Sequence, residues 1–307
     1  LSFLTDDGVA WPAGDLKVAW RQAQDLRQPW TTATPVTGGD LSGERINLDA
    51  LSRVAEHAPL GAPLRALLAS LAPRGRLDSL QAGWTGPLDQ PASYQVEARL
   101  SDLALQPGPV VEGGQPGRPG LRGAALRLSA NERGGQAQLG IEDGALIFPG
   151  VFEEPEIVLD ELQAGLSWRI EPVQGRAPAV ELKLADMRFA NADAQGEVDA
   201  VWRSGESEGR GHGARYPGRL ELKARLERAR AESVARYLPL GIAAAARHHV
   251  RDAVQGGSIT SASFSVKGDL AHFPFHSTHE GELRIVLQVR DVRYAYLPGS
   301  PWPAVER

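Results

Sequence analysis

Apolar and polar residues alternate along most of this chain, and this alternation constrains the fold more than any other feature. Successive residues of a β-strand point to opposite faces, so an alternating run predicts a strand with one apolar and one polar face. The clearest runs are Leu80, Ala82 and Trp84; Tyr94, Val96, Ala98 and Leu100; Leu126 and Leu128; Leu139 and Ile141; Ala145 and Ile147; Leu166, Trp168 and Ile170; Val180, Leu182 and Leu184; Val198, Ala200 and Trp202; Leu220, Leu222, Ala224 and Leu226; and Leu283, Ile285, Leu287 and Val289.

Helical signals are few and occur in two places. Near residues 48–73, Asp49 is suited to cap one helix, and Pro63 is suited to the first turn of a second helix with leucines at helical spacing. A second pair is predicted from Glu232 to Leu238 and over the segment from Ile242 to Ala253. Short linkers between the strands favour antiparallel pairing.

So few helices cannot cover so many one-faced strands. Three arrangements remain open: a sandwich, a closed barrel, or a curled sheet whose apolar groove holds something apolar.

Two blocks of the chain repeat each other about 180 residues apart. The first begins at Val54-Ala-Glu-His-Ala-Pro-Leu-Gly61 and ends at Leu100-Ser-Asp-Leu103. The second begins at Val234-Ala-Arg-Tyr-Leu-Pro-Leu-Gly241 and ends at Val289-Arg-Asp-Val292. Each block is a helix pair, a glycine and then one-faced strands, which favours a modular architecture over a single enzyme core.

The repeat and the loops predict three segments. Residues 1–107 end one repeat and contain the helix pair near 48–73. Residues 108–230 form an antiparallel strand run, with long flexible loops near 107–120 and 204–218 that are rich in glycine. Residues 231–307 contain the second helix pair and start the next strand run.

Composition excludes several classes of function. A net charge of −5 with no basic excess argues against a nucleic-acid partner. The absence of cysteine excludes disulfides, thiolate metal sites and cysteine nucleophiles. No apolar run is long enough to cross a membrane as a helix. The chain starts at Leu1 without Met and stops in mid-pattern, so we expect it to be a segment of a longer protein.

A catalytic serine is not expected. Gly205-Glu-Ser-Glu-Gly209 has the Gly-x-Ser-x-Gly pattern of a nucleophile elbow, but that turn needs a helix after it. The following Arg-Gly-His-Gly predicts a polar loop. The acidic pairs Glu153-Glu154 and Asp160-Glu161 are adjacent, so on a strand they point to opposite faces and form no catalytic pair.

The histidines and tryptophans allow competing interpretations. His272, His276 and His279 with Glu280 have spacings compatible with a metal, but Phe273-Pro-Phe275 interrupts any helix, so a surface loop and no metal site are predicted. His248, His249 and Asp252 are predicted on a solvated helix face. The remaining candidates are aromatic residues that either pack in a core or contact an acyl chain: Trp84, Trp168 and Trp202.

Several segments share a pattern of glycine, proline and aromatic residues: Ala235-Arg-Tyr-Leu-Pro239, Gly256-Gly-Ser-Ile-Thr260, Lys267-Gly-Asp-Leu270, Phe273-Pro-Phe275, Val289-Arg-Asp-Val292 with the Tyr-Ala-Tyr that follows Arg293, Pro301-Trp-Pro303, Leu121-Arg-Gly-Ala-Ala125, Gly134-Gly-Gln-Ala137, Ile147-Phe-Pro149, Leu162-Gln-Ala-Gly-Leu-Ser-Trp168 and Met187-Arg-Phe-Ala-Asn191. In these segments the chain resembles the YhdP branch of the AsmA-like family, whose members are large Gram-negative envelope proteins. The resemblance covers roughly residues 45–307.

The resemblance implies a function without catalysis. It implies an inner-membrane anchor upstream, a long periplasmic body built as a repeated β-groove, and transport of phospholipid to the outer membrane. Together with the alternation it predicts a mainly β (α+β) fold, a long curled antiparallel sheet that forms an apolar groove, with two helix-pair insertions. No cofactor is expected, and phospholipid acyl chains are the expected partners. The residues predicted to face lipid are Tyr94, Val96, Leu100, Leu166, Trp168, Leu182, Leu184, Leu220, Leu222, Leu283, Ile285, Leu287 and Val289.

Two other functions stay open. The sheet could close into a structural or adaptor module for outer-membrane assembly whose outer face binds partner envelope proteins. An enzyme that acts on glycans or lipids would need a site that the sequence does not assemble. Lipid conduction and the adaptor function differ in whether Leu283, Ile285, Leu287 and Val289 face an open channel or another protein layer.

Overall fold

A computed structural model describes residues 14–22, 36–57, 62–87, 89–110, 116–297 and 305–306. The chain forms two compact units. The first contains Leu1–Gly108 and Gly120–Leu139, and the second contains Pro109–Pro119 and Gly140–Arg307. The three segments predicted from the sequence, with boundaries near 107 and 230, stay a prediction.

The first unit is a sheet whose strands are neighbours in chain order. A helix pair lies between its second and third strands. The elements are β1 (Asp15–Gln22), β2 (Val36–Asn47), α1 (Leu48–His57), α2 (Ala62–Leu71), β3 (Arg74–Thr85), β4 (Ser93–Leu105), β5 (Gly120–Asn131) and the start of β6 (Gly134–Ile147). Pairing is antiparallel from β1 through β5.

The first helix is capped two residues earlier than predicted. The Ala50 N–H donates to Asn47 Oδ1 at 3.1 Å, so Asn47 caps α1, and Asp49 lies inside the first turn. Both residue types suit a cap, and only the backbone path decides between them. The predicted end of this helix at Pro59 and Gly61 lies outside the described residues, as do residues 111–115 of the 107–120 loop and the Pro301-Trp-Pro303 segment.

The second unit is also built from neighbouring strands and contains the second helix pair. After β6 come β7 (Glu156–Val173), β8 (Arg176–Ala190), β9 (Ala194–Arg203), β10 (Ser207–Arg210), β11 (Ala214–Tyr216), β12 (Arg219–Arg230), a 3-10 helix (Ala231–Tyr237), α3 (Ala244–Ala253), β13 (Val254–Asp269), a short 3-10 helix (Leu270–His272), β14 (Gly281–Tyr294) and β15 (Val305–Glu306). Strands β7, β8, β9, β12, β13, β14 and β15 are consecutive antiparallel neighbours.

The predicted fold class is confirmed: the protein is mainly β, with few helices and a long antiparallel sheet that is not closed. The closed-barrel alternative is therefore wrong. The 204–218 segment is more ordered than a flexible loop, because β10 and β11 form a small parallel pair. Its glycine-rich and charged sequence has no alternation that could have predicted this pair. In the part of the chain that is described, no helix is long and apolar enough to cross a membrane.

Aspartates in the left-handed backbone conformation interrupt the alternation in several strands. Asp102 in β4, Asp143 in β6, Asp186 in β8 and Asp291 in β14 have φ between 51° and 54°. Aspartate tolerates this conformation better than most residues because its side chain hydrogen-bonds locally. The strand register shifts next to Asp102 and Asp186, as expected for β-bulges, which bend a strand and increase its twist.

The bulges keep apolar residues on one face although their spacing changes from two to three. Leu100 pairs with Leu126 and Leu103 pairs with Ala124, and these two partners share a face of β5. In β8, Leu184 pairs with Ala200 and Met187 pairs with Val198.

In each unit the helix pair covers one end of the apolar face. This is the end where the strands bulge at their left-handed aspartates, and we call it the bulge end. In the first unit the most buried residues there are Ile46, Leu77, Leu103 and Ala124, at 0–4% exposure, and Leu48 and Ala50 of α1 are buried with them. In the second unit Ala231 of the 231–237 helix is buried against Ile259 and Ala262, with Val234 and Val292 packed around them.

A polar cluster holds the 231–237 helix on the second unit. The Asp193 carboxylate accepts hydrogen bonds from Ser233 Oγ at 2.8 Å, from Tyr237 Oη at 2.9 Å and from Arg236 Nη1 at 2.6 Å. Glu154, in the turn before β7, pairs with the other side of Arg236 at 3.0 Å. We call these five residues the polar clamp. Burial raises the pKa of Tyr237 to about 12, and the Asp193 carboxylate that it donates to adds to the rise.

Removal of the Asp193 side chain should destabilise the protein strongly. Asp193→Ala would leave Tyr237 and Ser233 without their acceptor and Arg236 with Glu154 alone, so we expect a loss of about 3 kcal/mol in the free energy of unfolding. The matched control is Glu154→Ala, because this carboxylate binds the same arginine but is 63% exposed. It should cost at most about 1 kcal/mol. Urea denaturation measures both, and equal losses would contradict the clamp.

The polar clamp should also make the free energy of unfolding fall at acid pH. Burial would raise the pKa of Asp193, but the hydrogen bonds from Ser233 and Tyr237 and the charge of Arg236 outweigh it, so the pKa is lowered. A lowered folded pKa makes this contribution complete above the unfolded value of about 3.9 and lost as pH falls through the folded pKa. The Asp193→Asn variant should therefore lose less stability than the wild type below pH 4, as measured by urea midpoints.

Because Asp186 has a left-handed backbone conformation, we expect glycine to be tolerated at this position better than valine. Asp186 is exposed, with φ 51°, and its backbone N–H donates to Asp199 Oδ1 at 3.0 Å. Asp186→Val should cost about 1–2 kcal/mol, because a β-branched residue is strained in this region. Asp186→Gly keeps both the conformation and the backbone hydrogen bond and should cost less. If urea midpoints show valine equal to glycine, the bulge does not depend on this conformation.

Candidate functional site

Apolar residues of the second unit pair with apolar residues on each neighbouring strand, so they form rows across the sheet. Directly opposite residues share a face. One row contains Leu166, Leu184, Ala200, Leu222, Val266 and Leu283. The rows beside it contain Met187, Val198, Ala224, Phe264 and Ile285 on one side, and Trp168, Leu182, Trp202 and Leu220 on the other. We call this surface the apolar face of the second unit.

The dimensions of this face follow from sheet geometry. Six neighbouring strands, from β7 to β14 without the β10–β11 pair, contribute to the central row. Strands are about 4.8 Å apart, so the row runs ~24 Å across them. Successive rows lie two residues apart along a strand, or ~6.7 Å.

Both ends of the face are partly covered, and most of its exposed side chains lie on β14. At the bulge end lies the 231–237 helix. At the other end the Tyr216 ring stacks on Trp202 at 6.0 Å, and Trp202 Nε1 donates to the Pro217 carbonyl oxygen at 2.8 Å. The apolar side chains of the face that are 36–49% exposed are Leu182 on β8 and Leu283, Ile285, Leu287 and Val289 on β14.

The other residues predicted to face lipid are half-buried. In the second unit these are Leu166, Trp168, Leu184, Leu220 and Leu222, all in the rows given above. In the first unit Val96 lies in a row with Val18, Leu41, Ala82 and Ala130. Tyr94 pairs with Trp84, and Leu100 pairs with Leu77 and Leu126.

The three tryptophans have different environments. Trp84 is 8% exposed and packs edge-to-face on Trp20 at 5.6 Å, which is the core-packing interpretation. Trp202 is held by Tyr216 and Pro217. Trp168 is half-buried opposite the exposed Leu182, so it is the tryptophan best placed for contact with an apolar ligand.

The opposite face of the second unit is charged. Arg203 contacts Glu181 at 2.8 Å and Glu221 at 3.6 Å, and Arg188 contacts Glu197 at 3.4 Å. Such partly exposed pairs contribute little to stability but keep this face in water.

Two concave sites, of about 510 and 310 Å³, are lined mostly by side chains of the polar faces. One includes Lys17, Ser42, Gln81 and Glu97, and the other includes Gln163. They lie on the polar faces and give no support for an apolar ligand, because an acyl chain needs apolar surface.

The acidic pair Glu153-Glu154 has a structural role. Glu153 contacts Arg247 of α3 at 2.9 Å, whereas Glu154 contacts Arg236. The pKa of Glu153 is lowered, mainly by the hydrogen bond from Arg247. Each carboxylate therefore has its own arginine, and together they hold both helices of the second pair.

The serine and the helix histidines lie in separate places in the part of the chain that the structure describes. Ser207 begins β10, where its N–H donates to the Gly213 carbonyl oxygen, and no helix follows it. His248 lies 3.4 Å from Glu153, and His249 lies 3.2 Å from Tyr294 Oη, both on the exposed side of α3.

The structure groups the loop histidines differently from the sequence. His272 Nε2 lies 2.7 Å from His212 Nδ1, which in turn lies 3.2 Å from Asp269 Oδ2. His276 is not part of this group, and its backbone N–H donates to Glu280 Oε2 at 2.8 Å. Sequence spacing could not reveal the grouping, since His212 is separated from His272 by 60 residues.

Fold and site together define the class: a one-faced antiparallel sheet protein with an apolar surface available to an apolar ligand or partner. The chain belongs to the YhdP family, whose model, described as "YhdP protein", matches residues 1–307. The family predicted from the sequence is thus confirmed.

A curated relative matches almost the whole chain. It is "Intermembrane phospholipid transporter YhdP" of Escherichia coli (strain K12), 24% identical over 311 aligned positions that cover 98% of this chain. The chain spans 22% of the length of that relative. No solved structure matches the chain.

Proposed function

We propose that this chain is a periplasmic segment of an envelope protein that conducts phospholipid between the inner and outer membranes, without a chemical step. The observation that carries the proposal is the central apolar row, which is in register across six strands and is exposed at β14. The family and the printed function of the Escherichia coli relative support it. The anchor in the inner membrane and the periplasmic location are parts of the same proposal.

The exposed rows suit an acyl chain by size. The hydrocarbon core of a bilayer is about 30 Å thick, so one acyl chain spans ~15 Å. The central row, at ~24 Å, is longer than one chain. A bound chain would therefore contact apolar side chains at every position along the row, with no fixed end point.

Uniform rows favour movement over tight binding. Full burial of a methylene contributes about 0.8 kcal/mol, and an open surface contributes only part of this. Because the central row presents apolar atoms at each of its six strands, a chain that slides along it by one strand loses and gains similar contacts. The headgroup would stay in water while the acyl chains lie on the face. The residues that we propose to face lipid are the thirteen predicted from the sequence, from Tyr94 to Val289.

An adaptor function is the second candidate. In the described part of the chain, β14 pairs with β15 through Arg293 and Tyr294 alone, so most of its outer backbone edge is available to another strand. Its side chains on both faces are exposed, including Val286 at 49%. A partner protein could use this edge by strand addition.

One pair of substitutions separates the two faces of β14. Ile285 is 46% exposed on the apolar face, and its neighbour Val286 is 49% exposed on the other face. Ile285→Asp should reduce co-purifying phospholipid several-fold, because a carboxylate in the row would have to lose its hydration. Val286→Asp introduces the same charge at the same exposure and should leave bound lipid unchanged. Lipid extraction and mass spectrometry, after gentle purification of the folded variants, measure the effect.

Two outcomes would contradict lipid conduction. If the wild-type protein carries no phospholipid and binds none from vesicles, the apolar face does not serve lipid. If Val286→Asp lowers bound lipid as much as Ile285→Asp, the effect belongs to the edge of β14 and not to the face. The second result would favour the adaptor function.

A further inference from the structure

Three metal-ligating side chains from two separate segments meet at one end of the second unit. His212 lies in the turn between β10 and β11, Asp269 ends β13, and His272 ends the short 3-10 helix. One ligand atom of each residue lies within 4.8 Å of the others. The two shortest separations are 2.7 Å between the histidine nitrogens and 3.2 Å from His212 Nδ1 to Asp269 Oδ2.

These separations are close to those of a tetrahedral metal site. Zn²⁺ binds imidazole nitrogen and carboxylate oxygen at about 2.0–2.2 Å, so two ligands of one tetrahedral ion are ~3.3 Å apart. The Asp269–His212 separation already has this value. The two histidines would have to separate by about half an ångström, which a side-chain rotation of the exposed His212 can supply. Two imidazoles and one carboxylate are a ligand set that Zn²⁺ accepts.

The carboxylate is oriented by its own hydrogen bonds. The Ala271 N–H donates to Asp269 Oδ1 at 3.0 Å, and the Gly213 N–H donates to Oδ2 at 2.8 Å. The Asp269 side chain is only 8% exposed. Such support around a ligand fixes its direction before the ion arrives. Burial would raise the pKa of Asp269, but the two backbone donors and the nearby imidazoles outweigh it, so the pKa is lowered.

We propose that His212, Asp269 and His272 bind one divalent transition-metal ion of the Zn²⁺ class, and that the ion fastens the 204–218 segment to the 270–272 helix. The fourth position would hold water, because the His212 side chain is 74% exposed. The fastened segment contains Tyr216 and Pro217, which cover Trp202 at one end of the apolar face. The ion would therefore fix the cover at that end. This inference does not depend on lipid conduction.

Zinc titration of the full chain tests the site, with calorimetry at pH 7.5, where free imidazole is mostly neutral. We expect one equivalent to bind the wild-type protein. His212→Ala and His272→Ala should each weaken binding at least tenfold. His276→Ala is the matched control, because this histidine lies four residues from His272 and outside the group, and it should bind as the wild type does. Co²⁺ gives a second readout through the intense visible absorption of a tetrahedral site.

Trypsin cleavage after Arg210 and Arg215 tests the fastening. Zn²⁺ should slow this cleavage several-fold in the wild type and in His276→Ala, and should not slow it in His212→Ala. Because His212 is exposed, this variant should melt at the same temperature as the metal-free wild type, so loss of folding would not imitate loss of the site. The proposal is overturned if no single equivalent binds, if His212→Ala binds Zn²⁺ as tightly as the wild type, or if binding occurs without protection of the segment.

Discussion

Cross-strand pairing of apolar with apolar residues is the constraint on which this structure depends. A shift of one residue in any strand would move its whole apolar set to the charged face. Leu184, Leu222 and Leu283 can share one row because every register between β7 and β14 is set correctly. On the other face, the pairs of Arg203 with Glu181 and Glu221 match the same register. The proposed function uses this register as a surface property, and no single residue carries it.

The ends of the face show how a one-faced sheet can be partly covered without being closed. At one end the polar clamp fixes the 231–237 helix, with Asp193 at its centre. At the other end Tyr216 and Pro217 cover Trp202. Both covers are held by polar contacts around a nearly buried aspartate, Asp193 and Asp269 respectively. Local hydrogen bonds thus decide how much apolar surface is open, and strand pairing decides where it lies.

Period-two alternation predicted the strands and the apolar face, because a sheet converts sequence parity directly into a face. It could not predict contacts between distant loops, so the sequence grouped His272 with His276 and missed His212. It also could not predict β10 and β11, because apolar and polar residues do not alternate in their glycine-rich sequence. Two of the left-handed aspartates lie in the segments that define the long repeat, Leu100-Ser-Asp-Leu103 and Val289-Arg-Asp-Val292. A third lies between these segments in Leu184-Ala-Asp-Met187, which has the same pattern. The sequence therefore carries this aspartate pattern at a shorter spacing than that of the long repeat.

That shorter spacing has a consequence for how such chains can change in length. Asp102, Asp143 and Asp186 lie in every second strand from β4 to β8, and the bulges at Asp102 and Asp186 return the apolar residues to one face after the change of spacing. A hairpin that contains one such aspartate therefore begins and ends with its apolar residues on the same face. Insertion or loss of a whole hairpin is then the change of length that this kind of sheet should accept without moving the apolar residues of its other strands to the polar face.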